Sequence, residues 1–549
     1  MKQTLLLFLF ILLFSNTQAQ DEGNFYGGLE SNSQWLQTDD GINFLAPEDQ
    51  FRANNYLLLN YRKGKFTTGL QYESYLPSAL LGYAPIYNEQ NGIANYYVNY
   101  RDKNIDVTGG FIYDQFGSGL IFRSWEDRQL GVNNAIKGLN IKWNVTENLL
   151  FKAIFGKQRN GFEESEGTIQ GYDLEYNFSN AIGLEGIDIN LGSSYVARYQ
   201  DNLGVEAIPS TVGAYSGRLD FVVGNFYAGT EVVIKDPDVV ANEGVIASNK
   251  LYDGTALQVN AGYTKKGFGL NTTFRRLENF SFFADRLAEG NVFNQQVINY
   301  VPGLTKQQDY LLTNIYVYNP QPRLIIESFD QRSGEVGFQS DLYFTLKKGT
   351  ALGGKTGAKI ATNFSYWAGL DAEYDVTNRW YKAKFIGNGT KLMRDFSFEF
   401  KKKISKNFST VLTYQNVNID KGIVEGGPLG VSNIQANIVV AEATQKLGGG
   451  QSLRLVGQHL WSEDDRKNWA AAVIEYNIST KFSLYAADNW NYEGPNEIHY
   501  YSVGGSYVNG NTRLGLNYGR QRGGLICIGG VCRFVPENTG LSANLTIAF

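Results

Sequence analysis

The chain has 549 residues, with 49 Lys and Arg against 54 Asp and Glu and a formal net charge of −5; this mild acidity gives no basic stripe for nucleic acid. Two Cys and two His are too few for a Cys/His metal cluster. The mean hydropathy is negative, which excludes a bundle of membrane helices but not a membrane barrel, whose strands are only half apolar.

The chain opens with Met1-Lys2-Gln3, a short cationic segment, followed by an unbroken apolar run from Leu5 to Phe14 and by Thr17-Gln18-Ala19. This pattern predicts a secretory signal peptide over residues 1–19, too short for a stable span, with cleavage after Ala19. No Cys follows the apolar run, so a lipid anchor is not expected. No later stretch has the length of apolar sequence that a membrane helix requires.

From there the pattern is almost entirely of period two. Phe66, Thr68, Leu70 and Tyr72 alternate with Thr67, Gly69, Gln71 and Glu73; Tyr172, Leu174, Tyr176 and Phe178 alternate with Asp173, Glu175 and Asn177. Phe396, Phe398 and Phe400 alternate with Ser397, Glu399 and Lys401; Leu514, Leu516 and Tyr518 with Arg513, Gly515, Asn517 and Gly519. The final residues do the same, Leu541 to Phe549. A strand puts such sets on opposite faces and a helix cannot. Tight turns are expected at Arg62-Lys63-Gly64, Asp102-Lys103-Asn104, Lys265-Lys266-Gly267 and Asn509-Gly510. Longer polar connections are expected at 77–91, 117–134, 158–168, 201–211, 236–253, 277–333, 366–390, 418–432 and 523–537. Short turns alternating with long loops are the rhythm of a membrane barrel. In hydrocarbon an open sheet edge is not tolerated, so the sheet must close.

Several stretches carry a resemblance: "FGSGLIFRSWEDRQLGVNN" (116–134), "GKQRNGF" (156–162), "INYVPGLTKQQDYLLTNIYVY" (298–318), "GGKTGAKIATNFSYW" (353–367) and "GRQRGGLICIGGVCR" (519–533). Together they resemble a family of outer-membrane barrel proteins of Bacteroidota-type Gram-negative bacteria, catalogued as a domain of unknown function. The resemblance implies location and fold, and transfers no functional residues. The end on Phe549 likewise resembles the terminal strand of bacterial outer-membrane barrels.

The expected fold is therefore all-β, a single closed transmembrane antiparallel β-barrel over residues 20–549. With both termini periplasmic the strand number is even, about 24 within a range of roughly 18 to 26. The longest connection, 277–333, carries Phe280, Phe282, Phe283, Phe293, Tyr300, Tyr310, Tyr316 and Tyr318, with a helical turn expected around Ala284–Glu289. So aromatic a segment would not stay dissolved as free coil. It folds into the lumen as a plug, the favoured reading, or packs outside as a docking surface.

Candidate sites are few. Cys527 and Cys532 enclose Ile-Gly-Gly-Val and are expected to close a small disulfide that staples the last long loop; a redox-active pair is the weaker alternative. In the run 123–128 neither face of a strand could meet lipid, so the segment leaves the wall. A helical turn there would pair Arg123 with Glu126 and Asp127. Arg123, Glu126, Asp127 and Arg128 nearly cancel in charge, which suits an ion-pair brace of an internal loop better than a constriction that tunes permeation. His459 and His499, with Glu463, Asp464 and Glu497 near, lack a close-spaced ligand motif. No nucleophile–base, Walker or dinucleotide motif stands in a suitable context, so neither an enzyme nor a cofactor is expected. Two roles remain: a porin-like conduit for small hydrophilic solutes, or a non-conducting barrel subunit of a larger secretion or assembly complex. The expected surroundings are outer-membrane lipid and lipopolysaccharide and, in the second case, other envelope proteins, with no nucleic acid.

Overall fold

A computed structural model describes residues 23–202, 208–242, 244–321, 324–326, 329–331, 334–375, 377–378, 380–424, 433–494 and 496–549. The expected signal peptide lies outside them. Alternation of apolar and polar residues gives twenty-four strands in one sheet. Neighbours in the wall run antiparallel, and the strand Asn24–Gln37 pairs with Asn538–Ala548 to close it, Gly28 opposite Ala548 and Gln37 opposite Thr539. The count of 24 and the closure are those expected. Among the described residues every strand of the closed wall has a partner on both sides.

One end of the barrel carries the tight turns. Gly64, Gly267 and Gly510 have φ of 56°, 83° and 56°, conformations that glycine adopts without strain. Two connections at this end are longer: 347–357, and the segment holding the short helix Phe178–Ile182, whose first turn is capped by the Asn177 side chain accepting from the Asn180 amide. The opposite end carries the long connections. At three places there the wall skips a long segment: Ile105–Ile112 pairs with Ile136–Thr146 across 113–135, Phe268–Glu278 with Glu335–Leu346 across 279–334, and Thr512–Gln521 with Asn538–Ala548 across 522–537.

Three of the expected loops are strands instead. Residues 158–168 lie in Leu149–Asn160 and Glu163–Asn177, 236–253 in Phe226–Asn242 and Val245–Lys265, and 366–390 in Ala358–Asp375 and Trp380–Lys403. Register shifts fall in each pair, at Lys157/Arg159, Lys235/Asp238 and Trp367/Ala368. A bulge slips the side-chain alternation while the backbone ladder continues, so period two is lost to the sequence reader although the strand is not. The last two hairpins rise beyond the others and meet through Val240, Tyr252 and Tyr381.

The apolar sets face out: Leu174, Phe396, Leu412, Leu514, Leu516 and Leu541 are exposed on the outer wall. Aromatic pairs ring it near the tight turns, Phe25 with Tyr61 and Phe66 with Tyr100, and Trp35, Trp461, Trp490 and Tyr501 ring it near the long loops. The polar sets face inward, where a barrel of this size leaves room that wall side chains cannot fill.

Candidate functional site

That room is filled by the connections of the long-loop end. Residues 113–135 form two small hairpins, Gln115–Phe116 with Phe122–Arg123 and Glu126–Asp127 with Val132–Asn133. Their apolar residues Phe116, Leu120, Ile121 and Phe122 pack with Phe280, Phe282, Ala284 and Ile298 of the 279–334 segment and against Ile154, Ile169, Val196 and Val212 of the wall. Further along, Leu312, Ile315, Tyr316 and Tyr318 pack against the other side of the wall, at Trp367, Val417, Ile434, Leu460 and Trp469. The segment therefore crosses the lumen and is the plug that its aromatic content implies. Its helical turn is a 3-10 turn at Glu289–Phe293, a few residues past the expected place.

Polar contacts fix the plug at both walls. On one side Asn134 and Gln158 donate their amides to the Val297 carbonyl at 3.0 and 2.9 Å, and the Arg123 amide donates to the Ile298 carbonyl. On the other, the Trp367 indole donates to the Leu304 carbonyl at 2.9 Å, and Tyr318 stacks on Trp367 with ring centres 5.7 Å apart. The Tyr310 hydroxyl donates to Glu442 at 3.2 Å; burial and the Glu442 charge push its ionisation up to about 12, so it stays a donor.

The four charged residues of 123–128 fall into different contacts. Arg128 donates to Glu30 at 2.7 Å and to Glu126 at 3.1 Å, lies over the Tyr56 ring, and its carbonyl accepts from the Tyr83 hydroxyl. Asp127 accepts the amides of Gln129 and Leu130 at 2.8 and 2.9 Å and so shapes its own turn. Arg123 lies over Tyr300, 4.0 Å from the ring centre, and 5.3 Å from that of Trp125. The helical pairing of Arg123 with Glu126 and Asp127 does not form, because the segment is built of hairpins. Arg123 is held by plug aromatics and Arg128 by acids, one of them from the first strand.

Cys527 and Cys532 are bonded across the small hairpin Gly524–Ile528/Val531–Val535, turning at Gly529-Gly530 with φ of 58° and 82°. This hairpin is not at the surface edge alone; it is pressed onto the plug. The Tyr300 hydroxyl donates to the Gly529 carbonyl at 2.9 Å and the Gly303 amide to the Gly530 carbonyl at 2.6 Å. Gln307 donates to the Cys527 carbonyl and Asn294 to that of Cys532. Arg533 donates to the carbonyls of Gln129 and Leu130, tying the hairpin to the 113–135 loop.

Sequence reasoning missed the buried ion pairs of the inner wall. Arg159 pairs with Glu73 at 2.6 Å, both about 1 % exposed, and Tyr75 donates to the same carboxylate. Arg275 pairs with Glu335 at 2.8 Å, and Glu335 also accepts from Tyr318 and from the Gln321 amide of the plug. Asp238 accepts from Arg198 of the wall and Arg286 of the plug, each at 3.0 Å. Their one trace in the sequence is a charge on the inward parity of a strand. His459 and His499 remain apart: His459 bonds Tyr492 and His499 bonds Asp488, on the outer wall. Among the described residues no group of three or more His, Cys, Asp or Glu could hold a metal ion.

Between plug and tight turns the lumen keeps polar space. One cavity of about 500 Å³ is lined by Asn144, Glu175, Arg218, Asp220, Glu231 and Gln258 among others. One of about 620 Å³ is lined by Asn60, Asn95, Asn99, Asp106 and Lys142. A third, of about 820 Å³, lies between Gln307 and Tyr310 of the plug and Arg454, Gln458 and Glu475 of the wall.

The fold and its contents define a 24-strand β-barrel closed by its own inserted loops. The chain belongs to a family described as "Family of unknown function (DUF6029)", whose pattern it matches over residues 1–549. No curated protein matches it. Solved structures similar to it include the translocation pore of the P pilus usher PapC (9 % identity, 95 % of this chain and 99 % of that one, TM-score 0.43). Others are the siderophore receptor PirA from Pseudomonas aeruginosa (9 %, 97 % and 81 %, 0.39) and OccK11 (OpdR) from Pseudomonas aeruginosa (10 %, 73 % and 94 %, 0.36). At such identities the function has to be argued from this chain's own residues.

Proposed function

We propose that the protein is a barrel of the bacterial outer membrane, with both termini in the periplasm, that acts as a gated conduit for small hydrophilic solutes. Membrane location is supported by the apolar outer wall between two aromatic belts and by the closed ladder. Lipid and lipopolysaccharide are the surroundings such a wall fits. The observation that carries the gated reading is the 279–334 segment. It spans the lumen between two apolar clusters, with polar cavities left on its tight-turn side. A solute could be admitted to those cavities and passed only when the plug shifts.

The test is conductance in planar bilayers. The folded wild-type barrel should be nearly silent, and a variant with residues 300–316 replaced by a short Gly/Ser linker should show stepwise openings. A folded variant that stays silent overturns the conduit. The other reading, a non-conducting subunit of an envelope complex, draws on the exposed Phe385 and Ile386 of the tall hairpin, 67 % and 86 % accessible, which a partner envelope protein would cover. Silence of the linker variant together with partners retained through mild detergent extraction favours that role.

A further inference from the structure

Beneath the plug, the strands Ala358–Asp375, Trp380–Lys403 and Phe408–Asp420 bring together an unusual set of atoms. Asn363 Oδ1, Ser365 Oγ, Asp395 Oδ1, Thr413 Oγ1 and Gln415 Oε1 are all buried without a hydrogen-bond partner. All five are oxygens, and none of the five residues is more than 3 % exposed. Register makes four of them neighbours. Ser365 is directly opposite Asp395, and on the adjacent inward rung Ser397 stands between Asn363 and Gln415; Thr413, opposite Glu399, is two rungs from Asp395 and out of its reach. Directly opposite side chains on one face approach to roughly 5 Å between Cβ atoms.

The two amides are oriented by their nitrogens. Asn363 Nδ2 donates to Asp341 at 3.0 Å and to the Ser340 carbonyl, and Gln415 Nε2 donates to Asp395 Oδ2 at 2.6 Å. Turning either amide over would set its oxygen against a carboxylate, so the oxygens are the ends left to take a ligand. Asp395 has Gln415 as its one hydrogen-bond partner among the described residues, while its neighbour Arg394 reaches outward to Asn416. A carboxylate this deep without a counter-charge is strongly unfavourable. Protonation would remove its charge, but one O–H can satisfy at most one of the three neighbouring oxygens.

We propose that Asp395, Ser365, Asn363 and Gln415 form a binding site for a desolvated monovalent alkali cation, sealed by the plug. Hard oxygen donors select hard cations, and one carboxylate among neutral oxygens balances a single positive charge, where a divalent ion would leave a buried surplus. The lid is plug backbone and side chain: Gln308 donates to Ser397 at 3.4 Å and Trp367 to Leu304. The bound cation therefore supports plug seating whether or not the barrel conducts, and the site stands independently of the conduit reading.

The experiment uses the full folded barrel in detergent. Its unfolding midpoint is compared in sodium or potassium chloride and in N-methylglucamine chloride of equal ionic strength. The alkali salt should raise the midpoint in proportion to the logarithm of its concentration, and Asp395→Asn should abolish the difference between salts. Equal midpoints in wild type, or the same dependence in Asp395→Asn, overturn the site; stabilisation by calcium but not by sodium or potassium overturns the monovalent assignment. Should Asp395→Asn fail to fold, crystals of the wild type soaked in thallium(I) acetate decide. Anomalous density beside Asp395 and Ser365 supports the site, and thallium bound elsewhere but not there overturns it.

Discussion

At the scale of single residues, the inner wall is held by charges that cannot be separated cheaply. Arg159 and Glu73 are both enclosed, and removing one leaves the other buried and unpaired, which costs about 3–5 kcal/mol. Arg159→Met should lower stability by that order in denaturant titration, whereas Arg159→Met with Glu73→Leu should recover much of the loss. Asp39 gives a pH dependence. Partial burial opposes its ionisation, but Arg520 at 2.7 Å, the Thr539 hydroxyl and the Gly41 amide outweigh burial and hold it below the ordinary carboxylate range. A carboxylate depressed in the folded state contributes stability that is complete above its unfolded value, near 4, and is lost as pH falls through the folded one. Acidification below about pH 4 should therefore weaken the wild type more than Asp39→Asn, as read by unfolding midpoints across pH.

At the scale of elements, the wall was legible because its outer face and its lumen impose opposite demands on alternate residues. Phe396 and Leu514 face out and Asp395 and Ser397 face in, as period two requires. The tight turns were legible through Gly64, Gly267 and Gly510. The tall hairpins were not, because bulges at Lys235/Asp238 and Trp367/Ala368 break the alternation that marks a strand. Nor were the partners of 123–128: Arg128 meets Glu30 and Arg123 meets Tyr300, contacts made by chain crossing the lumen and invisible in local spacing. The disulfide was read correctly as a pairing of neighbours, but its setting against Tyr300, Gly303 and Gln307 was out of reach. Cys527→Ser should cost about 2 kcal/mol for a ring this small. Limited proteolysis should then show cleavage both in 524–535 and in the plug beneath it, and cleavage confined to 524–535 would show that the hairpin does not brace the plug.

At the scale of the whole molecule, the plug is an insertion between two neighbouring strands of the wall. The 279–334 segment leaves from Phe268–Glu278 and returns to Glu335–Leu346, strands paired directly with each other, so replacing 300–316 leaves the ladder intact while clearing the part of the lumen that the plug crosses. That is why the linker variant is the sharp test of conduction: it separates loss of the plug from loss of the barrel.

The position of the disulfide hairpin has a consequence for assembly in time. Synthesis delivers the two small hairpins of 113–135 and the plug well before residues 522–549. Yet the hairpin clasping Gly303 and Gln129 and the strand that pairs with Asn24–Gln37 both belong to that last stretch. Sealing the wall and latching the lumen thus both need the same last stretch of chain. Until that stretch is in place the barrel is both split along one seam and unlatched within.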